Sequence, residues 1–294
     1  MIEIPDGLAA SLREYGEESA RALLAELPGR AARFLERWDL RVAGPSMHGR
    51  VSLVLPVTRA DGTPAVLKLQ QVDEETAGEW LALRTWDGDG AARLLAHDEA
   101  TGTLLLERLR PGTQLASLPD GRAAVRVLAG VLARLSAVPA PPGLRRLGDV
   151  LADTLAALPG ALAGPVDEEG RRLLRECVAA VREVADEPGD RLLHWDLHYE
   201  NVLAARREPW LAIDPKPLAG DPGFELLPAL WNRFDPAEVR WRFDLLTEAL
   251  GLDRERARAW TLGRVLQSGV WEAEDGETRL DPERTFIGWT LLAR

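Results

Sequence analysis

The stretch His194-Trp195-Asp196-Leu197-His198-Tyr199-Glu200-Asn201, continued by VLAARREPWLAIDPK to Lys216, decides how the rest of the chain is read. Two short apolar runs, residues 202–205 and 210–213, flank Arg206-Arg207-Glu208-Pro209, and that pattern predicts a β-hairpin. A hairpin there holds Asn201 and Asp214 at its two open ends, close in space. Asp196 lies on the loop that feeds the first strand. One amide and two carboxylates therefore converge on one point.

Phosphoryl transfer uses such a set: one carboxylate near the attacking hydroxyl, and an amide plus a second carboxylate on Mg²⁺. The order His-x-Asp-(x)4-Asn, then Asp after a short hairpin, resembles the catalytic loop and metal-binding aspartate of the protein-kinase-like fold. Ile213-Asp214-Pro215-Lys216, with Gly220-Asp221-Pro222 beyond it, resembles the aminoglycoside phosphotransferase family, most closely its streptomycin 6-kinase and hydroxyurea phosphotransferase branch. The resemblance runs from Val51 to Ala229, and its tight motifs lie between residues 194 and 222. It implies that Asp196 orients or deprotonates the acceptor hydroxyl, while Asn201 and Asp214 bind Mg²⁺. It makes His194 a support of the loop, brings His198 to the loop backbone or a phosphate, and gives Asp221 the role of bracing the catalytic loop.

Two positions depart from the family pattern. Trp195 stands where the family has glycine, and is expected to pack between loop and helix and to narrow the acceptor pocket. Asp214 is followed by Pro215-Lys216 rather than Phe-Gly. A fixed proline φ disfavours an in-and-out flip of the aspartate, so an always-assembled site without an activation loop is expected.

At 294 residues the chain can bury one large core or two lobes. No apolar run reaches the roughly 18–20 residues that span a membrane. MIEIPDGL carries no basic n-region, so no secretory signal is expected. The single cysteine, Cys177, suits a reducing cytoplasm and reads as a core thiol. A net charge of −11 repels nucleic acid and anionic lipid. Only Lys68 and Lys216 are lysines among 36 basic residues, an arginine bias that looks like GC-rich bacterial coding. A lysine kept against that bias marks a site that needs a compact ammonium.

Along the chain, residues 6–38 read as helix interrupted at Pro28-Gly29. Residues 51–57 and 65–69 read as strands, the second carrying Lys68. The loop from Gly44 through Ser46 to Gly49 falls where a kinase covers phosphates, although it lacks G-x-G-x-x-G. Residues 73–86 read as a helix bearing Glu75 and Glu79 on one face. The kinase arrangement pairs the strand lysine with a helix glutamate; Glu79 is the first choice and Glu75 the reserve. Strands 91–96 and 104–108 complete a small sheet. Glu107-Arg108-Leu109 then leads into the second lobe, along the linker whose backbone binds adenine in a kinase-like protein. From Asp120 onward the texture is helical, with helices expected at 150–158, 167–185, 224–233, 236–250, 254–271 and 282–292 around the one hairpin.

The expected fold is therefore α+β and protein-kinase-like, with two lobes and a cleft between them. Residues 1–109 form the small antiparallel-sheet lobe with its helical extension, and 110–294 the helical lobe. The resemblance implies ATP and Mg²⁺, with Lys68, Glu79, Glu107, Leu109, Ser46 and His198 on the nucleotide side. The acceptor is expected to be a small molecule with a hydroxyl, such as the guanidinium-bearing streptomycin, bound by Trp195, Glu225, Trp231, Asn232, Trp271 and Glu272; paired carboxylates suit a guanidinium. Neutral hydroxyurea, another small metabolite, or nucleotide binding without turnover are the alternatives. Oligomeric state is left open by the sequence.

Overall fold

The computed structural model describes residues 2–13 and 17–293. The chain divides into two compact units, Met1–Arg110 and Pro111–Arg294.

In the first unit, helices α1 (Asp6–Arg13) and α2 (Glu17–Arg37) precede β1 (Leu40–Val42), β2 (Met47–His48), β3 (Ser52–Arg59) and β4 (Pro64–Gln70). Then come α3 (Glu79–Trp86), β5 (Leu94–Asp98) and β6 (Thr103–Glu107). The strands form one antiparallel sheet in the order β1-β3-β4-β6-β5, with β2 also on β3. Alternation along β4 sends Ala65, Leu67 and Leu69 into a core with Leu23, Leu27, Ala31 and Phe34 of α2. It sends Lys68 and Gln70 to the opposite face. Arg30 of α2 ties helix to sheet, donating from Nε to Thr103 Oγ1 at 3.0 Å and from Nη2 to the Gln70 carbonyl at 2.9 Å.

Two local expectations change. Pro28 does not break the helix: α2 runs through it to Arg37, because packing of its apolar face outweighs the bond a proline removes. Residues 73–76 are not helical. Asp73 Oδ1 accepts from the backbone N–H groups of Glu75 and Thr76, both at 2.9 Å, and this side-chain turn competes with helix. The helix begins only at Glu79. Part of the expected first helix, residues 14–16, lies outside the described residues.

The second unit opens with α4 (Gly121–Ser136), capped by Asp120, whose carboxylate accepts from Arg122 and Ala123 N–H. β7 (Arg145–Arg146), α5 (Leu147–Ala163) and α6 (Glu168–Arg182) follow. Next come β8 (Arg191–Leu193), β9 (Val202–Ala204), β10 (Trp210–Ala212) and β11 (Leu218–Gly220). The last helices are α7 (Leu227–Trp231), α8 (Val239–Leu250), α9 (Arg254–Glu274) and α10 (Pro282–Leu292). α6 buries Leu173, Leu174, Cys177, Val178 and Val181 and packs along α9, the most buried helix of the unit. Burial pushes the Cys177 thiol up, so it is a neutral core group. β9 and β10 are the expected hairpin, with Val202 opposite Ala212. The sequence reading missed the three-stranded sheet β7-β11-β8. Its strands are two or three residues long, too short for alternation to show. No helix among the described residues is long and apolar enough to cross a membrane.

Candidate active site

The loop from His194 to Asn201 links β8 to β9, and the segment after β10 carries Asp214. Three hydrogen bonds join them. The Ile213 N–H donates to the Asn201 carbonyl at 2.9 Å, and the Lys216 N–H to the His194 carbonyl at 3.0 Å. His194 Nε2 lies 2.9 Å from the Ile213 carbonyl, which fixes that nitrogen as the protonated one. His194 is fully buried. Burial lowers its pKa to about 4, against the opposing pull of the Ile213 carbonyl and Asp214, so the ring is a neutral donor at pH 7. It ties the two segments together.

Asn201 donates from Nδ2 to the Asp196 carbonyl at 2.9 Å. With its nitrogen so used, the amide keeps its oxygen as an acceptor. Asp214 has a left-handed backbone, φ 58°, and its charge acts on both His194 and Asp196. Desolvation raises the Asp196 pKa; the charges of His198, Lys216 and Arg264 oppose that, and Asp214 reinforces it. His198 Nε2 sits 3.9 Å from Asp196 Oδ2, while its Nδ1 is 2.7 Å from Glu200 Oε2. His198 thus sits between the Asp196 and Glu200 carboxylates, the latter not singled out in the sequence.

Beneath the loop lies Glu225. It is 2% exposed and accepts from the Trp195 N–H, with the His194 backbone also contributing. Burial lifts its carboxyl to about 7 against those donors and Arg264. The bracing expected of Asp221 is therefore made by Glu225. Asp221 instead caps its own turn, accepting from Gly223 N–H at 2.8 Å, and pairs with Arg256 Nε at 2.7 Å. Gly223 permits the close packing of this turn on α9: a Cβ there would lie 2.8 Å from Ala257 Cα.

The other acceptor candidates separate. Asn232 accepts from the Tyr199 N–H at 2.7 Å, so it too holds the loop. Glu272 accepts from the Asp281 N–H at 2.7 Å and pairs with Arg284 at 2.5 Å. Trp231 lies under the same Arg284, 5.2 Å from its guanidinium carbon. Trp271 is 42% exposed and its ring centroid is 6.2 Å from that of Trp195, which places open aromatic surface beside the catalytic loop.

In the first unit, Lys68 Nζ lies 2.8 Å from both carboxylate oxygens of Glu79, and Gln70 Nε2 donates to Glu79 Oε2 at 2.6 Å. The lysine side chain is 6% and the glutamate 1% exposed. Glu79, the first choice, is thus a partner of Lys68. Ser46 lies where the strand breaks between β1 and β2. The tight turn comes later, where the Gly49 N–H donates to the Ser52 carbonyl at 3.0 Å. Glu107 Oε2 accepts from the Arg93 N–H at 3.2 Å, and Leu109 is buried.

The oxygen donors at Asn201 and Asp214 fit a hard divalent cation. Among the described residues no cluster of three or more His, Cys, Asp or Glu forms a dedicated metal cage.

Comparison with known proteins shows the family. The family model described as aminoglycoside/hydroxyurea antibiotic resistance kinase matches residues 37–276. A hydroxyurea phosphotransferase of Kitasatospora aureofaciens is 62% identical over 296 residues, covering 100% of this chain and 87% of that protein. A streptomycin 6-kinase of Streptomyces glaucescens is 56% identical over 300 residues, covering 99% and 97%. An aminoglycoside phosphotransferase solved with AMP-PNP and hygromycin B superposes with a TM-score of 0.61 at 16% identity, covering 89% and 97%. A choline/ethanolamine kinase family protein of Mesorhizobium loti gives 0.61 at 18%, covering 86% and 90%. At that identity the solved structures bear on the fold alone.

Proposed function

Because the chain belongs to the aminoglycoside/hydroxyurea antibiotic resistance kinases, and is on that ground an ATP-dependent phosphotransferase, we propose that it moves the γ-phosphate of ATP onto a hydroxyl of an aminoglycoside such as streptomycin. One observation carries the assignment of residues: Asp196, Asn201 and Asp214 belong to two segments tied together through the Ile213–Asn201, Lys216–His194 and His194–Ile213 hydrogen bonds, with Asn201 bonded to Asp196 within the first.

Each residue has a separate task. Asp196 aligns the acceptor hydroxyl and takes its proton as the bond to phosphorus forms; a loose transition state asks mainly for such positioning. Asn201 and Asp214 would hold Mg²⁺, which would supply charge neutralisation at the phosphate oxygens. Lys68, kept in place by Glu79, pairs with nucleotide phosphates. His198 steadies the Asp196 carboxylate, and Glu225 and Asn232 fix the loop backbone.

A second reading takes hydroxyurea or another small neutral acceptor. It is favoured by the carboxylates expected to meet a guanidinium: Glu225 is spent on the loop and Glu272 on Arg284. The test is a mass-shift assay with MgATP and each compound. Phosphate gain on streptomycin supports the first reading, gain on hydroxyurea alone the second. Nucleotide binding with no gain on any hydroxyl compound would overturn both.

A further inference from the structure

The backbone of Trp195 is left-handed, φ 64°. That conformation suits glycine and is unusual for a bulky aromatic residue. The surroundings must hold it there. The ring is 3% exposed, so it offers almost no surface to an acceptor. Two guanidiniums lie over it instead. The carbon of Arg145, from β7, is 4.6 Å from the ring centroid, and that of Arg264, from α9, is 4.9 Å away. A guanidinium over an indole face is attracted by the ring, and more strongly where water is excluded.

Arg145 is carried by β7, which pairs with β11, and its Nε and Nη2 are buried with no hydrogen-bond partner among the described residues, so the indole face is what its guanidinium meets. Arg264 donates from Nη1 to Gln267 Oε1 at 2.5 Å. Arg264 also lies 5.4 Å from the Phe224 ring and 5.8 Å from that of Trp271. Its charge acts on both Asp196 and Glu225, the residues after and beneath the tryptophan.

We propose that Trp195 is a positioning residue for Asp196, clamped by the guanidiniums of Arg145 and Arg264 so that the catalytic loop keeps one orientation. This rests on the role of Asp196 given above. The indole touches no reacting atom; it acts through the peptide it shares with the aspartate.

The test is hydrogen exchange read by mass spectrometry on the full chain, for Arg145→Met, Arg264→Met, the double variant and Trp195→Gly. Methionine keeps an apolar stem and removes the cation. In each variant, amides of residues 194–201 exchange faster by about tenfold, in keeping with loss of a shielded cation–π contact, while those of α6 keep their rates. The two arginine effects do not multiply, because both act through one ring. With whichever acceptor the wild type phosphorylates, kcat falls while KM for MgATP stays. Unchanged exchange at 194–201, or acceleration spread equally over α6, overturns the clamp. A wild type that phosphorylates no acceptor overturns the functional reading and leaves the exchange result to judge the clamp by itself.

Discussion

The side-chain nitrogen of Asn201 donates to the backbone carbonyl of Asp196 at 2.9 Å. The group assigned to the metal and the group assigned to the acceptor are therefore joined within one loop, and a change at either is felt by the other.

Asp196→Asn keeps the size of the side chain and removes its basicity. Acceptor phosphorylation is expected to fall by about 10²–10⁴-fold, the range for loss of a positioned general base. Nucleotide affinity stays close to that of the wild type. Steady-state turnover with acceptor, set beside a nucleotide titration, checks both halves.

Asn201→Ala removes the amide oxygen and also the bond to Asp196. The lost hydrogen bond costs stability by about 0.5–1.5 kcal/mol. The distinguishing effect is on metal dependence: half-maximal activity moves to higher Mg²⁺. A titration of rate against Mg²⁺ at fixed ATP measures it, and an unmoved midpoint would remove Asn201 from the metal site.

Lys68 and Glu79 form a buried pair, side chains 6% and 1% exposed. Taking away one partner leaves a buried charge uncompensated and costs about 3–5 kcal/mol. Glu79→Leu is therefore expected to destabilise strongly. Lys68→Met combined with Glu79→Leu recovers most of that loss and stays inactive. Denaturant unfolding of the three variants gives the cycle; additive losses would contradict a direct pair.

Two buried groups give the stability–pH curve opposing slopes. His194 falls from 6.5 to about 4 on folding, so the unfolded chain binds more protons. Its contribution is present above about pH 6.5 and is lost as pH falls through about 4. Glu225 rises from 4.5 to about 7, so the folded chain binds more protons. Its contribution is present below about pH 4.5 and is lost as pH rises through about 7. Each amounts to about 3 kcal/mol, and they nearly cancel. Glu225→Gln unmasks the histidine, giving stability that climbs with pH between about 4 and 6.5. Unfolding free energies across that window check the slope, and a flat profile in the variant would mean that burial does not shift His194.

What was legible in the sequence was short-range. His194, Asp196, Asn201 and Asp214 lie within one hairpin and its approaches, so spacing alone brings them together. Lys68 stood out because lysine is rare in this chain. The division of labour between Asp221 and Glu225 was not legible. Both acids lie in one turn, and which reaches the loop depends on how Gly223 seats that turn on α9. Arg145 and Arg264 were hidden for a different reason. Arginine is so frequent here that two more carry no signal, and they lie far in sequence from the tryptophan they cover. The late start of α3 was missed because Asp73 and Thr76 satisfy local backbone donors through side chains, which helical periodicity does not register.

Asp214 is followed by a proline and then by Lys216, whose N–H is bonded to the His194 carbonyl. A hinge that would let the aspartate swing away is thus stapled on its far side within two residues. On the proposed reading the aspartate would need no separate event to bring it into place, and throughput would follow the supply of nucleotide and acceptor.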